Sequence, residues 1–312
     1  MQIPAFILRV TCPFYPQVIS PEKPLVLIQR NGSGWPIRNM KSLEFGRREK
    51  VRMPDIGLGT WKMGGSSKPD NSNDRREMDA IRNALEIGYS FIDTAEMYGG
   101  GHTEELVGEA AEGREVFIAT KVWQTNLHYD DVIRAAEASL KRLRRKQIDL
   151  YQIHWPSDDI PLRETMKAME KLVDDGRVRY IGVSNFGPEL IDDARSHMSR
   201  YDIISDQVSY SLADRNPENG LTDYCRKEGI GIIAYEPLSR GKVFSGRTGR
   251  ILAEAASMVS RTKAQVALNW LISKGALPIP KSSSADHLHE NFGAAGWRLP
   301  EKVLKFIDDG IR

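Results

Sequence analysis

Between residues 55 and 310 the chain repeats one pattern eight times: a short apolar run, then a stretch of helical periodicity. The runs fall at 56–60, 89–92, 116–120, 148–153, 179–183, 203–207, 231–235 and 277–280. The helical stretches follow at about 74–88, 103–111, 130–145, 162–175, 187–197 and 217–228, then as helices to about 273 and a short helix at 286–291. In the stretch at 130–145, Val132, Ile133, Ala136, Leu140 and Leu143 share one face. Apolar strands alternating with helices specify a parallel sheet covered by its crossovers, and eight such units predict a (β/α)8 barrel rather than a doubly wound sheet. A dinucleotide fingerprint of the doubly wound kind is missing. Gly57-Leu58-Gly59 lacks the third glycine, and Gly99-Gly100-Gly101 follows a loop.

Two segments lie outside the repeat. Lys41–Phe45 and Lys50–Met53 alternate around Gly46 and Arg47, which predicts a β-hairpin ahead of the barrel. Residues 1–39 carry six prolines and no sustained period and read as an irregular extension, leaving 40–312 as one domain. Met40 is a second candidate start. A final amphipathic stretch covers 300–309. Net charge is +2, so nothing draws the chain generally to nucleic acid or to a membrane, and no apolar run approaches the ~18 residues of a membrane span. Cys12 and Cys225 form no motif and read as reduced thiols of a cytoplasmic protein.

In a parallel barrel the C-terminal strand ends converge on one face. Asp93, Tyr98, Lys121 and His154 all lie at or just beyond such ends, so an acid, a phenol, an amine and an imidazole would share one site. Together they form a proton-transfer set. A free phenol titrates near ~10, and an ammonium beside Tyr98 would lower that value. Asp93 would hold Lys121 charged and aimed. His154 has no second ligand at metal spacing, and His287 and His289 read as exposed helix residues, so no metal site is expected.

The stretches around these residues carry a resemblance. Gly57–Trp61, Asp93–Gly99, Thr120–Trp123, Asp149–Pro156, Ile181–Phe186, Gln207, Ala234–Leu238 and Ile279–Ser282 occur in the order found in aldo-keto reductases, which the chain resembles from about Met40 to Asn291. The resemblance implies an NAD(P)H-dependent oxidoreductase that reduces aldehydes and ketones. Tyr98 would be the general acid, Lys121 and Asp93 would tune it, and His154 would orient the carbonyl.

The resemblance also implies a cofactor site built from Thr60, Trp61, Ser184, Asn185, Gln207, Tyr235, Leu238, Lys281, Ser282, His287, Glu290 and Asn291. Within it Tyr235 would stack on the nicotinamide, and Lys281 and Ser282 would meet the adenosine 2′-phosphate. NADP is the expected cofactor. NAD is open as well, because His287 stands where many NADPH-preferring members carry arginine, and an imidazole is no fixed two-pronged cation. Glu236 replaces a small hydroxyl residue beside the diphosphate and would need to turn away or pair, for example with Arg240. Trp61, Trp123 and Trp155 are expected to line a substrate site left open by the short chain after Asn291. The expected partner is a small aldehyde or ketone, and the expected state a monomer or weak homo-oligomer. The competing expectations are a cofactor-binding regulatory subunit similar to channel β-subunits, and a lyase or isomerase barrel. The latter lacks its phosphate loop.

Overall fold

The computed structural model describes residues 43–311, so the extension at 1–39, Met40 and Cys12 lie outside the described residues. Eight parallel strands follow one another in chain order around a barrel. They are β3 (Leu58–Gly59), β4 (Phe91–Asp93), β5 (Phe117–Val122), β6 (Ile148–Ile153), β7 (Val178–Ser184), β8 (Ile203–Ser209), β9 (Gly231–Tyr235) and β10 (Ala276–Pro278). The first and last strands meet through Gly57 N–H to Pro278 O at 3.0 Å and Gly59 N–H to Pro280 O at 3.2 Å. A Cβ on Gly59 would lie 2.5 Å from the Ile279 carbonyl oxygen, so the barrel closes where the chain has no side chain.

The helices are α1 (Asp74–Ile87), α2 (His102–Ala110), α3 (Tyr129–Arg142), α4 (Leu162–Asp174), α5 (Pro188–Ser196), α6 (Leu221–Glu228), α7 (Gly246–Val259), α8 (Lys263–Ser273), α9 (Ala285–Phe292) and α10 (Glu301–Gly310). Most expected boundaries hold within two or three residues. The exception is α6, which starts at Leu221 rather than near 217, because residues 216–218 form a 3-10 turn and Gly220 follows with φ +107°. Pro188 opens α5 at its first turn, where its missing N–H costs no hydrogen bond. Thr262 caps α8 by bonding the Gln265 N–H, while the Gln265 side chain returns to the Thr262 N–H.

Strand periodicity divides the buried residues into two cores. Ile92, Ile118, Tyr151, Ile153, Ile181 and Ile232 face the helices. Phe91, Ala119, Leu150, Tyr180, Ile233 and Leu277 face the axis and fill the N-terminal half of the barrel. The expected hairpin, β1 (Leu43–Phe45) and β2 (Val51–Met53), pairs antiparallel and adds Leu43, Phe45, Val51 and Met53 to this inner core. Gly46 turns it with φ +89° and bonds Gly229 O at 2.8 Å. A Cβ on Gly231 would fall 2.0 Å from the Phe45 ring, so the plug sits directly on the start of β9.

Candidate active site

The parity that points Phe91, Ala119 and Leu150 inward at the plugged end brings Asp93, Lys121 and Gln152 inward further along the same strands. Their neighbours are determined by register: Ala119 faces Asp93 on β4, and Lys121 faces Gln152 on β6. All three are buried. Lys121 Nζ donates to Asp93 Oδ2 at 2.8 Å, to Thr94 O at 2.8 Å and to the Tyr98 hydroxyl at 3.4 Å, which uses its three protons. Tyr98 heads the 3-10 turn Tyr98–Gly101, in which Gly99 and Gly100 take left-handed φ of +56° and +61°. A Cβ at Gly99 would lie 2.4 Å from Gly64 O, so the turn packs tightly against the loop after β3.

Aromatic rings complete the surroundings. Trp61 lies 4.8 Å from the Tyr98 ring, His154 meets Tyr98 edge-on at 5.6 Å, and Trp123 meets His154 edge-on at 5.1 Å. The structure therefore brings the sequence-derived quartet and two of the three indoles together. Trp155 is the outlier: 41% exposed, it makes no ring contact among the described residues.

Burial governs the electrostatics. It pushes the Asp93 carboxyl up and the Lys121 ammonium down, while their contact opposes both shifts. It also pushes the Tyr98 phenol well above its ordinary value, with the Asp93 charge and then Tyr235 adding to the shift. The expected lowering by Lys121 is outweighed by burial of the phenol and by the Asp93 charge beside it. Tyr98 is held as a protonated phenol. His154 is pushed down to about 2 by burial and then by the Lys121 charge, which makes it a neutral imidazole. Its Nδ1 has no partner among the described residues.

A second network adjoins the first. Asn185, with φ +63°, donates from Nδ2 to His154 O at 3.1 Å and to Ser184 Oγ at 2.9 Å, and its Oδ1 accepts from the Tyr235 hydroxyl at 2.9 Å. Ser184 Oγ donates to Gln207 O at 2.8 Å, and Thr60 Oγ1 to Asp93 O at 2.8 Å. Lys281 Nζ donates to Ser283 Oγ at 2.8 Å, and Ser282 Oγ accepts from the Ser284 N–H at 3.0 Å. Further along, His287 is exposed on α9, Glu290 is half-buried and Asn291 is buried, while Leu238 packs against the helix-side core. Glu236 takes the paired option: its Oε1 accepts from Arg240 Nε at 2.9 Å and Nη2 at 2.5 Å.

Two residues escaped the sequence reading. Glu96 accepts from the Trp123 N–H at 2.6 Å and from Asn126 Nδ2 at 3.0 Å, and so anchors the loop that presents Trp123. Gln152 lies on β6 beside Lys121, fully buried, and its amide helps to hold the Asp93 carboxylate. An amide at inward parity in the run 148–153, two residues after Leu150, was the available signal.

A parallel barrel with a buried acid, amine and phenol at the rim where its strands end defines a class of barrel enzymes. The chain belongs to the aldo/keto reductase family, whose sequence model matches residues 55–311. Methylglyoxal reductase YeaE of Escherichia coli is 35% identical over 83% of this chain and 91% of its own length. Glyoxal reductase of Bacillus subtilis is 34% identical over 83% of this chain and 89% of its own. Among solved structures, the thermostable aldo-keto reductase Tm1743, determined with the inhibitor epalrestat, superposes with TM-score 0.82 at 44% identity, covering 87% of this chain and all of the other. An aldo/keto reductase of Klebsiella pneumoniae in complex with NADP and acetate gives TM-score 0.76 at 36% identity, covering 86% and 94%.

Proposed function

We propose that this chain reduces small aldehydes and ketones with NADPH, Tyr98 being the proton donor. The observation that carries this reading is the Tyr98 phenol, kept protonated by burial and 3.4 Å from the Lys121 ammonium at the rim where the strands end. The rim also fits a dinucleotide. Tyr235 is half-buried at the end of β9, its hydroxyl bonds the Asn185 side chain at 2.9 Å, and Lys281 offers a cation on a hydroxyl-rich turn. When bound, the nicotinamide supplies the hydride. Tyr98 gives its proton to the oxygen that becomes negative as the carbonyl carbon is reduced. Lys121 steadies the resulting phenolate, and Asp93 keeps Lys121 in place. His154, held neutral, hydrogen-bonds the carbonyl oxygen without competing for the proton.

Trp61 and Trp123 wall the space beside Tyr98 and His154, which suits compact planar carbonyl compounds. Relatives named for methylglyoxal and glyoxal support small 1,2-dicarbonyls as the substrate class. The test follows loss of nicotinamide absorbance with methylglyoxal and with 4-nitrobenzaldehyde. Wild type should turn over both, and Tyr98→Phe should lose on the order of a hundredfold or more in kcat while binding NADPH unchanged. Retained turnover by Tyr98→Phe would remove the phenol as the acid.

A further inference from the structure

A cavity of about 690 Å³ lies between the start of α1 and the turn before α9, away from the quartet. Arg75 and Arg76 line one side, Ser283 and Ala285 the other. Lys281 belongs to the same turn and reaches Ser283 Oγ at 2.8 Å. Its ammonium is pushed down by burial, opposed by Glu77 and reinforced by the charges of Arg76 and Lys62. Lys281, Arg76 and Lys62, from three separate segments, therefore gather positive charge beside this cavity.

Their counter-charges are committed elsewhere. Glu77 Oε2 accepts from the Gly64 N–H at 2.6 Å. Asp74 pairs with His102 at 2.9 Å and Asp79 with Arg82 at 3.6 Å. Among the described residues, the side chains of Lys62, Arg75 and Arg76 make no hydrogen bond or ion pair. Like charges gathered without an anion repel, and the arrangement is relieved when an anion enters. Helix α9 carries two imidazoles, His287 and His289, and no guanidinium that would make a fixed fork.

We propose that Arg76, on α1, is the guanidinium that recognises the cofactor's 2′-phosphate, acting across this cavity with Lys281 and Ser283. Preference for the phosphorylated dinucleotide is then set from α1 rather than from α9. This rests on the reading of the rim as a dinucleotide site. The bidentate geometry of a guanidinium on phosphate, with the lysine as a point charge beside it, is the chemistry such a group selects.

The test is binding rather than turnover. Calorimetric dissociation constants are measured for NADPH, NADH, adenosine 2′,5′-bisphosphate and adenosine 5′-monophosphate with wild type, Arg76→Ala, Arg76→Lys and Arg82→Ala. Arg76 is exposed, so its replacement leaves the packing intact. Arg76→Ala should weaken NADPH and the bisphosphate roughly tenfold and NADH and the monophosphate less than about twofold. Arg76→Lys should recover part of the loss, and Arg82→Ala should change nothing. Equal weakening of phosphorylated and unphosphorylated ligands, or none, overturns the assignment while leaving the dinucleotide site standing. Failure of wild type to bind either dinucleotide overturns the site reading and the assignment together.

Discussion

The side-chain amide of Gln207 donates to Asp93 Oδ1 at 2.7 Å, while Lys121 occupies Oδ2 at 2.8 Å. One carboxylate thus joins β4, β5 and β8 across the barrel axis. Gln207 was expected on the cofactor side, yet its Nε2 is bound into the proton-transfer set. Gln207→Leu should therefore lower kcat as well as weaken cofactor binding, and cost about 1–3 kcal/mol of stability by leaving a buried carboxylate oxygen unpaired. Steady-state kinetics with a urea titration reads both effects. A change confined to cofactor affinity would contradict the link.

Lys121→Met should cost about 3–5 kcal/mol at neutral pH, because it strands Asp93 in the barrel without its counter-charge. Burial already raises Asp93, and losing the ammonium raises it further. The folded variant then holds a proton that the unfolded chain releases above about pH 4, so its stability falls as pH rises from there. The deficit against wild type should be smaller at pH 4 than at pH 7 by urea titration, and Lys121→Met with Asp93→Leu should recover much of it. A deficit independent of pH would argue that packing, not charge, is lost.

His154 is pushed from 6.5 to about 2. Over that interval the unfolded chain binds a proton that the folded chain refuses. Its contribution is complete above pH 6.5 and is lost as pH falls, by up to about 1.4 kcal/mol per unit. His154→Gln should flatten the acid limb of the stability profile between about pH 6 and pH 4. The kcat profile of wild type should show no imidazole inflection near neutrality. An inflection near pH 6.5 that disappears in the variant would mean that His154 titrates normally.

His287→Arg should tighten NADPH more than NADH, since only NADPH carries a phosphate for the added fork. Dissociation constants for both cofactors decide it, and equal changes count against any contact between position 287 and the 2′-phosphate.

Gly231→Ala should destabilise by about 1–3 kcal/mol, because the new methyl meets the Phe45 ring. Adding Phe45→Leu should return part of that. The denaturant midpoints of the two variants check it, and a neutral Gly231→Ala would mean that the hairpin yields.

The barrel was legible because each strand is marked twice, by its apolar run and by the helix after it. The quartet was legible because Asp93, Lys121 and His154 are polar residues at the ends of those runs. What escaped depends on contacts distant in sequence. Closure through Gly57 and Gly59 uses carbonyls more than two hundred residues away. The hold of Glu96 on the Trp123 loop, and the approach of Arg76 to Lys281, likewise have no local signature. The titration of Tyr98 was misjudged for a related reason: a neighbouring lysine is visible in sequence, while the depth to which the phenol is buried is not.

Phe45, 1% exposed against Gly231, stoppers the barrel at the end opposite Lys121. Among the described residues the site is a well rather than a tunnel. On the proposed reading, what reaches the floor at Lys121 arrives by the rim that Trp61 and Trp123 flank, and its product leaves by the same side. Incoming and outgoing molecules would then contend for that passage, and the indoles that flank it would act on departure as much as on arrival.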